Sequence, residues 1–463
     1  MSTFREKIGY GFGDMASSMF WKIFSYYLPF FYSNVYGLSL ADTALLLLIT
    51  RIWDAVSDPM MGIIADRTHS RHGKYRPYLL WVAVPFAVCG VLVFTTPDAG
   101  PQGKLIYAYV TYMLMMTIYT AINVPYSAML GVMTPDPDTK TIFSSYRMFF
   151  AYGGSFIALL SWERLCSLFE KATWSVSDSW QQTMMVIALV TIILFLLCYQ
   201  MTRERIRNTS TVSVLKDLKL LITNSPWWLL IGAALCSNLF NTVRGATAAY
   251  YFKDFIGDNV YLHLGDFSLL FYAGLFLGIG EVANMVGVTF TVSISRAIGK
   301  KATYLYTMMG LAVLSSLFFF IPATPIGYWL MLLLQIVISI GTGIISPLVW
   351  SMYADVSEYA ELRDGTASTG LIFSSSSMAQ KFGSAFGGSL LMWLLASFGY
   401  STVDGTVQTP EAILGLKTLM SWVPALTALL AVAVIYFYPL TRDKVKEING
   451  RLVARRNGHK TSL

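Results

Sequence analysis

The chain has 463 residues, of which 55% are hydrophobic and only 13% charged. A water-soluble domain carries about 25% charged residues, so too few polar side chains remain to cover a water-facing surface, and a soluble enzyme or binding module is excluded. The formal net charge of +7 is spread over turns between apolar runs and forms no aromatic-interleaved patch. That distribution is a membrane-topology signal and points away from nucleic acid.

Residues Met1 to Lys7 are short and polar and show no cleavage site, so the first span itself is expected to act as the insertion signal. A spanning helix needs about 20 largely apolar residues. Runs of that kind predict twelve helices, at 12–34, 40–65, 77–97, 105–133, 142–162, 180–202, 227–252, 268–294, 303–322, 327–355, 367–398 and 418–439. Pro125 is expected to kink the fourth. The longest polar connection follows the sixth helix. The expected organisation is therefore a six-helix half at 1–202, a cytoplasmic linker at 203–226, a second six-helix half at 227–440 and a cytoplasmic tail at 441–463.

Basic residues set the orientation. With the N-terminus inside, 23 of the 33 lysines and arginines fall in cytoplasmic segments and five in external ones, which places both termini in the cytoplasm. Of the four cysteines, Cys89, Cys198 and Cys236 lie in apolar runs and Cys166 in an expected external loop. Their spacing suggests neither a disulfide framework nor a metal site. The histidines, His69, His72, His263 and His459, share no helix face, so no zinc site or catalytic triad is indicated. No Walker-type phosphate loop occurs. The chain reads as a non-enzyme.

Five basic residues remain inside spans: Lys22, Arg51, Arg147, Arg244 and Lys381. A cation at mid-bilayer costs about 2.5–3.5 kcal/mol on insertion scales, so such residues are expected to face a partner or a water-filled cavity. Glu281 and Arg244 are expected to pair with each other, and Asp14 and Lys22 to lie on one stripe of the first helix with Ser18 between them. The densest signal is Arg51-Ile52-Trp53-Asp54-Ala55-Val56-Ser57-Asp58-Pro59. Asp54 and Asp58 are four apart and share a helix face, with Arg51 and Ser57 close to it. Two carboxylates in low dielectric repel, so unless one is protonated the pair needs a cation. A structural ion pair of Arg51 with one aspartate is the blander alternative.

A short internal repeat supports two halves. Ser70-Arg71-His72-Gly73-Lys74-Tyr75-Arg76 follows the second helix, and Ser295-Arg296-Ala297-Ile298-Gly299-Lys300-Lys301 follows the eighth. Parallel six-helix halves are the plan of the major facilitator superfamily.

On these residues the chain resembles the glycoside–pentoside–hexuronide:cation symporters, the major facilitator family to which the melibiose permeases belong. The resemblance rests on Arg51 to Gly62, on Tyr10-Gly11-Phe12-Gly13-Asp14, on Arg71 to Pro77, on Asn123-Val124-Pro125-Tyr126, and on Lys381 to Phe386. These motifs cover both halves. The resemblance implies an all-α membrane protein of twelve transmembrane helices in the major facilitator fold, sited in the bacterial cytoplasmic (inner) membrane. It implies cation-coupled import of a sugar or glycoside (a pentoside, oligosaccharide or hexuronide). It places the cation, Na+ or H+, at Asp54, Ser57, Asp58 and Thr120, with Na+ held between Asp54 and Asp58. It places the sugar against Ser18, Tyr119, Asn123, Arg147, Gln380 and Lys381.

The chain departs from the family pattern at Ser57, Ser18, Asn123, Ser127 and Ser346. Ser18 and Asn123 replace carboxylates, so Asp14 is expected either to take over part of that role or to be held near Lys22 as a structural pair. Ser127 and Ser346 replace tryptophans, and Trp350, one turn beyond Ser346, is the candidate stacking face. Packing is the commoner role for such an aromatic.

Arg71, Lys74 and Arg76 on one half, with Asp355 and Glu358 on the other, are expected to form a cytoplasmic gate. The expected partners are a small sugar or glycoside, the coupling cation and membrane lipid, with no nucleic acid, no resident cofactor and a monomeric state. The competing reading is a major facilitator carrier for a non-sugar amphiphile such as a lysolipid. A multi-pass enzyme or receptor would need a metal or nucleophile cluster that the sequence does not offer.

Overall fold

A computed structural model of the chain describes residues 4–68, 70–134, 137–173, 175–205, 222–257, 260–264, 267–364, 369–403 and 405–460. In chain order they form α1 (Phe4–Tyr26), α2 (Leu28–Phe30), a π-helical turn (Phe31–Val35), α3 (Leu40–Arg67), α4 (Arg76–Trp81), α5 (Ala83–Val93), α6 (Pro101–Met133), α7 (Pro137–Thr173) and α8 (Val176–Met201). Then follow α9 (Ser225–Tyr251), a second π-helical turn (Phe252–Ile256), β1 (Val260–Leu264), β2 (Phe267–Phe271), α10 (Ala273–Ile298) and α11 (Lys300–Leu317). The chain continues through α12 (Pro325–Asp364), α13 (Thr369–Ser397), α14 (Pro410–Met420), α15 (Trp422–Tyr436) and α16 (Arg442–Lys460).

Local chemistry starts these helices. Ser39 caps α3 by accepting from the Asp42 amide at 3.0 Å, and Ser175 caps α8 through the Asp178 amide at 3.3 Å. Pro101 occupies the first turn of α6, where its missing N–H leaves nothing unsatisfied. The packing of α3 is inside-out for water. Ile52, Val56, Met60 and Ile64 are exposed, whereas Thr50, Arg51, Asp54 and Ser57 are buried. An apolar outer face and a polar inner face are what hydrocarbon demands of a helix that carries charge.

Among the described residues, six helical stretches are long and apolar enough to cross a membrane: Pro101–Leu130, Val176–Met201, Ala273–Ile298, Lys300–Phe320, Pro325–Arg363 and Pro410–Tyr436. Helices α1, α3 and α7 are at least as long as a span requires but are studded with charge. Those three carry Asp14, Asp54, Asp58 and Arg147.

Packing divides the chain into two compact units. One holds the described residues of 1–209, 245–282 and 388–416; the other holds those of 210–244, 283–387 and 417–463. Each cut beyond residue 210 falls within a helix, so these units follow contacts and differ from the halves that hydropathy outlines. Two local features repeat along the chain. Each π-helical turn is followed by a glycine of positive φ, Gly37 at 88° and Gly257 at 90°. The turns after α3 and α10 likewise contain Gly73 at φ 116° and Gly299 at φ 88°, a region open to glycine and strained for other residues.

Several expected boundaries move. The first helix begins at Phe4, and the fifth span becomes part of a 37-residue helix, so Cys166 is buried within α7 instead of lying in an external loop. The run 77–97 is two helices that meet at Val82. Residues expected to open the eighth span form β2, which pairs antiparallel with β1 from Val260↔Phe271 to Leu264↔Phe267. The tail expected at 441–463 is helical over Arg442–Lys460, with Ile448 and Leu452 buried. Residues 206–221 of the expected linker, and His69, lie outside the described residues. Pro125 sits inside a continuous α6.

Candidate cation and substrate site

Asp54, Ser57 and Asp58 occupy successive turns of α3, and Thr120 faces them from α6. The Thr120 hydroxyl lies 3.0 Å from Asp54 Oδ1 and 2.8 Å from Asp58 Oδ1. A hydroxyl has one proton, so it satisfies one carboxylate at a time. Ser57 Oγ donates to the Asp54 carbonyl at 3.1 Å and lies 3.5 Å from Thr120 Oγ1. With its proton committed to the backbone, Ser57 keeps its lone pairs for a cation. The donor set is two carboxylates and two hydroxyls, all oxygen. Such a set suits a hard monovalent cation or a proton shared by the carboxylates, and does not suit zinc.

Arg51 stands beside this cluster. Its Nη1 is 3.8 Å from Asp54 Oδ2, with 5% of the Arg51 side chain and none of the Asp54 side chain exposed. Nη1 is buried and makes no hydrogen bond. The guanidinium instead lies over the Trp21 ring at 4.6 Å. The bland ion-pair reading and the cation-site reading thus concern the same cluster, with Arg51 beside Asp54.

The expected substrate residues of the first unit gather on α1, α6 and α7. Arg147 grips Asp14 with two contacts, Nε to Oδ2 at 3.0 Å and Nη2 to Oδ1 at 3.3 Å, and lies over the Tyr126 ring at 5.3 Å. Local packing holds the pair. The Tyr126 hydroxyl donates to the Tyr10 carbonyl at 2.6 Å, and a Cβ at Gly13 would run into the Tyr126 ring, so only glycine lets α1 approach there. Ser18 is half-buried one turn beyond Asp14. Tyr119 is buried on α6, 5.6 Å from Trp21. Asn123, one turn further, holds a buried Oδ1 with no hydrogen-bond partner, an acceptor suited to a sugar hydroxyl. Trp21, which packs on Tyr119 and under the Arg51 guanidinium, is a neighbour of these candidates that motif matching missed. Its signal was its place seven residues after Asp14 and three after Ser18, on the same face of α1.

Lys22 is not held near Asp14. It pairs with Glu281 on α10 at 2.6 Å and reaches the Tyr26 hydroxyl at 3.2 Å. The expected partnership of Glu281 with Arg244 is corrected accordingly. Arg244 bonds Gln335 at 2.8 Å and the Met420 carbonyl at 3.2 Å.

In the second unit, Lys381 is 8% exposed on α13 beside the half-buried Gln380. Gly383 lets α13 approach α9, since a Cβ there would meet Asn238 and the Leu235 carbonyl. Trp350 is half-buried on α12, 6.4 Å from Tyr353.

A model of the family described as MFS/sugar transport protein matches residues 9–442. The chain belongs to this family. YagG of Escherichia coli (strain K12), provisionally named a glycoside/cation symporter, is 35% identical over 456 residues, covering 98% of this chain and 96% of that protein. The isoprimeverose transporter of Lactiplantibacillus pentosus is 31% identical over 464 residues, 98% of this chain and 91% of that protein. The glucuronide carrier protein homolog of Escherichia coli (strain K12) is 31% identical over 454 residues, 96% and 94%. Among solved structures, a D-xylose-proton symporter matches with TM-score 0.65 at 14% identity, covering 95% of this chain and 98% of that one. A bacterial homologue of the peptide transporters PepT1 and PepT2 matches with TM-score 0.69 at 11% identity, covering 94% and 99%. The structural likenesses speak for the fold alone.

In this MFS/sugar transport protein the basic turn after α3 works through its backbone. The amides of Lys74, Tyr75 and Arg76 donate to the Glu204 carboxylate at 2.8, 2.8 and 2.6 Å. A Cβ at Gly73 would meet the Glu204 carboxyl carbon at 2.6 Å. Arg76 Nε donates to the Tyr199 carbonyl at 2.7 Å and its guanidinium stacks over that ring, while Arg71 is exposed. In the other unit, Asp355 is held by Lys300 at 2.6 Å, and Glu358 is half-buried one turn on. Glu204 gave no local sequence signal, because its partners lie about 130 residues away.

Proposed function

We propose that this protein is a secondary active transporter that carries a sugar or glycoside across the bacterial cytoplasmic membrane together with Na+ or H+. The observation that carries the reading is the convergence of Asp54 and Asp58 on the Thr120 hydroxyl. Two carboxylates this close, with Asp54 buried and Asp58 half-buried, repel when both are ionised, which favours a coupling ion or proton at the pair. The relatives named for glycoside, isoprimeverose and glucuronide transport point to the sugar.

The architecture proposed is twelve spans with both termini cytoplasmic. The six apolar stretches are joined by α1, α3, α4 with α5, α7, α9 and α13, in which Asp14, Asp54, Asp58, Arg147, Arg244 and Lys381 are buried or half-buried. The candidate sugar-binding residues are Asp14, Ser18, Tyr119, Asn123 and Arg147 in the first unit, and Trp350, Gln380 and Lys381 in the second. The fork of Arg147 and the amide of Asn123 supply directional hydrogen bonds, and the rings supply apolar faces. Arg71, Lys74, Arg76, Asp355 and Glu358 act at the cytoplasmic gate.

Uptake into proteoliposomes tests the function. Labelled isoprimeverose and labelled methyl glucuronide are supplied under an inward Na+ gradient, an inward proton gradient, or neither. Accumulation of a glycoside above equilibrium under one gradient is expected. Accumulation of none under either would overturn the reading.

A further inference from the structure

Among the described residues, the Trp21 side chain touches a residue of each proposed site. Its ring lies under the Arg51 guanidinium at 4.6 Å and 5.6 Å from the Tyr119 ring, tilted by 36°. Arg51 belongs to the cation cluster through Asp54, and Tyr119 belongs to the sugar pocket. Both contacts lie within one packing unit.

We propose that Trp21 is the positioning residue that couples cation occupancy to sugar affinity. The inference rests on the transport reading above. Arg51 has two competing attractions. One is the carboxylate pair, at 3.8 Å from its Nη1. The other is the π face of Trp21, which attracts a desolvated guanidinium. Nη1 makes no hydrogen bond to either, so no directional contact fixes the balance. When no cation or proton occupies the carboxylate pair, its negative charge draws the guanidinium toward α3. When a cation or proton neutralises them, that pull falls and the Trp21 face holds Arg51. A Trp21 ring held by Arg51 is steadied in its contact with Tyr119, and Tyr119 is then ordered for the sugar before it arrives.

Tyr119 and Thr120 are adjacent on α6, with the Thr120 hydroxyl within reach of both carboxylates and Tyr119 packed on Trp21. The two sites therefore share one turn of backbone as well as the aromatic bridge. Removing the bridge separates these two routes.

The test is a linkage measurement on the full chain in detergent. The affinities of isoprimeverose and methyl glucuronide are measured with and without saturating Na+ at high pH, and at low against high pH without Na+. Linkage requires the sugar to tighten cation binding by the factor by which the cation tightens sugar binding, and this gives an independent check. For Trp21→Ala the tightening factor is expected to fall by about tenfold or to unity, with Trp21→Phe retaining most of it because a π face remains. If Trp21→Ala does not reach the membrane, Trp21→Leu keeps bulk without a π face and carries the same test. A cation-dependent parent with an equally cation-dependent Trp21→Ala or Trp21→Leu overturns the coupling role and leaves the transport reading standing. So does loss of coupling in Trp21→Phe to the same extent as in the alanine variant, since that marks packing and not the π contact. A parent that binds neither sugar in a cation-dependent way overturns the transport reading, and the coupling role with it.

Discussion

Lys22 Nζ lies 2.6 Å from Glu281 Oε1, across 259 residues of sequence, with 4% of the Glu281 side chain exposed. The pair ties α1 to α10 one turn beyond Ser18. The second carboxylate oxygen, Oε2, is buried without a hydrogen bond, so Glu281 depends on Lys22 for its charge balance. Breaking a fully buried pair from one side costs about 3–5 kcal/mol, and less is expected here because 21% of the Lys22 side chain is exposed, whereas replacing both members with apolar residues is often near neutral. Lys22→Met and Glu281→Leu singly should therefore lower the thermal midpoint of the purified protein markedly. The double variant should recover most of the loss. Midpoints from fluorescence-detected size exclusion measure this, and a double variant less stable than both singles would refute the pairing.

Coupling is tested at α3. Asp58→Asn should abolish accumulation above equilibrium while leaving sugar exchange between the two sides, because the variant no longer needs a cation to balance its charge. Thr120→Val, which removes the hydroxyl between the carboxylates but keeps the shape, should weaken the apparent affinity for the coupling ion by about tenfold, the scale of one hydrogen bond to a charged group. Counterflow and gradient-driven uptake in the same vesicles separate the two effects. Unchanged accumulation in Asp58→Asn would remove Asp58 from the site.

The pocket is tested at Arg147. Its two-point grip on Asp14 leaves 30% of the arginine side chain exposed, enough for a guanidinium N–H to reach a sugar hydroxyl. Arg147→Ala should reduce sugar affinity by at least about tenfold at normal membrane levels. Arg147→Lys should recover charge but not the fork, and so only part of the affinity. Loss of expression with unchanged affinity in the protein that remains would make the pair purely structural.

The α3 motif was legible because its chemistry is local. Residues three and four apart on a helix must share a face, so Arg51, Asp54, Ser57 and Asp58 could be grouped before any coordinates. Trp21 obeyed the same spacing but was passed over, since one aromatic among the many in apolar runs carries no mark of its own. Lys22–Glu281 and the Glu204 clasp were not legible. Each joins residues over 100 apart, and spacing within a helix says nothing about which distant charge a buried one meets. That is why Glu281 was assigned to Arg244. The hairpin of Val260–Leu264 and Phe267–Phe271 was hidden for another reason. Its apolar residues continue into those of α10, and hydropathy averages across the short polar turn that separates the strands.

The last prediction concerns the proposed gate residues, of which Lys74, Arg76 and Asp355 are bonded within their own units. Asp355 bonds Lys300 at 2.6 and 2.8 Å, and the turn of Lys74, Tyr75 and Arg76 is fastened to Glu204 by three amides. Mouth charges that act across the gate and charges that brace their own unit predict different phenotypes. In the gate reading, Asp355→Asn with Glu358→Gln raises the rate at which a cysteine at position 127 is labelled from the cytoplasm, because several weak pairs that bias a two-state equilibrium have been removed. Lys300→Met should then leave that rate near the parent value. In the bracing reading, Lys300→Met and Asp355→Asn act alike, each lowering the thermal midpoint without a selective rise in labelling. Glu204→Gln adds a control from the other side. It weakens three charge-assisted hydrogen bonds to neutral ones, so the turn after α3 should become more accessible to protease while Asp355 is untouched. Labelling that rises in the double aspartate–glutamate variant alone supports the gate. Equal behaviour of Lys300→Met and Asp355→Asn assigns Asp355 to bracing.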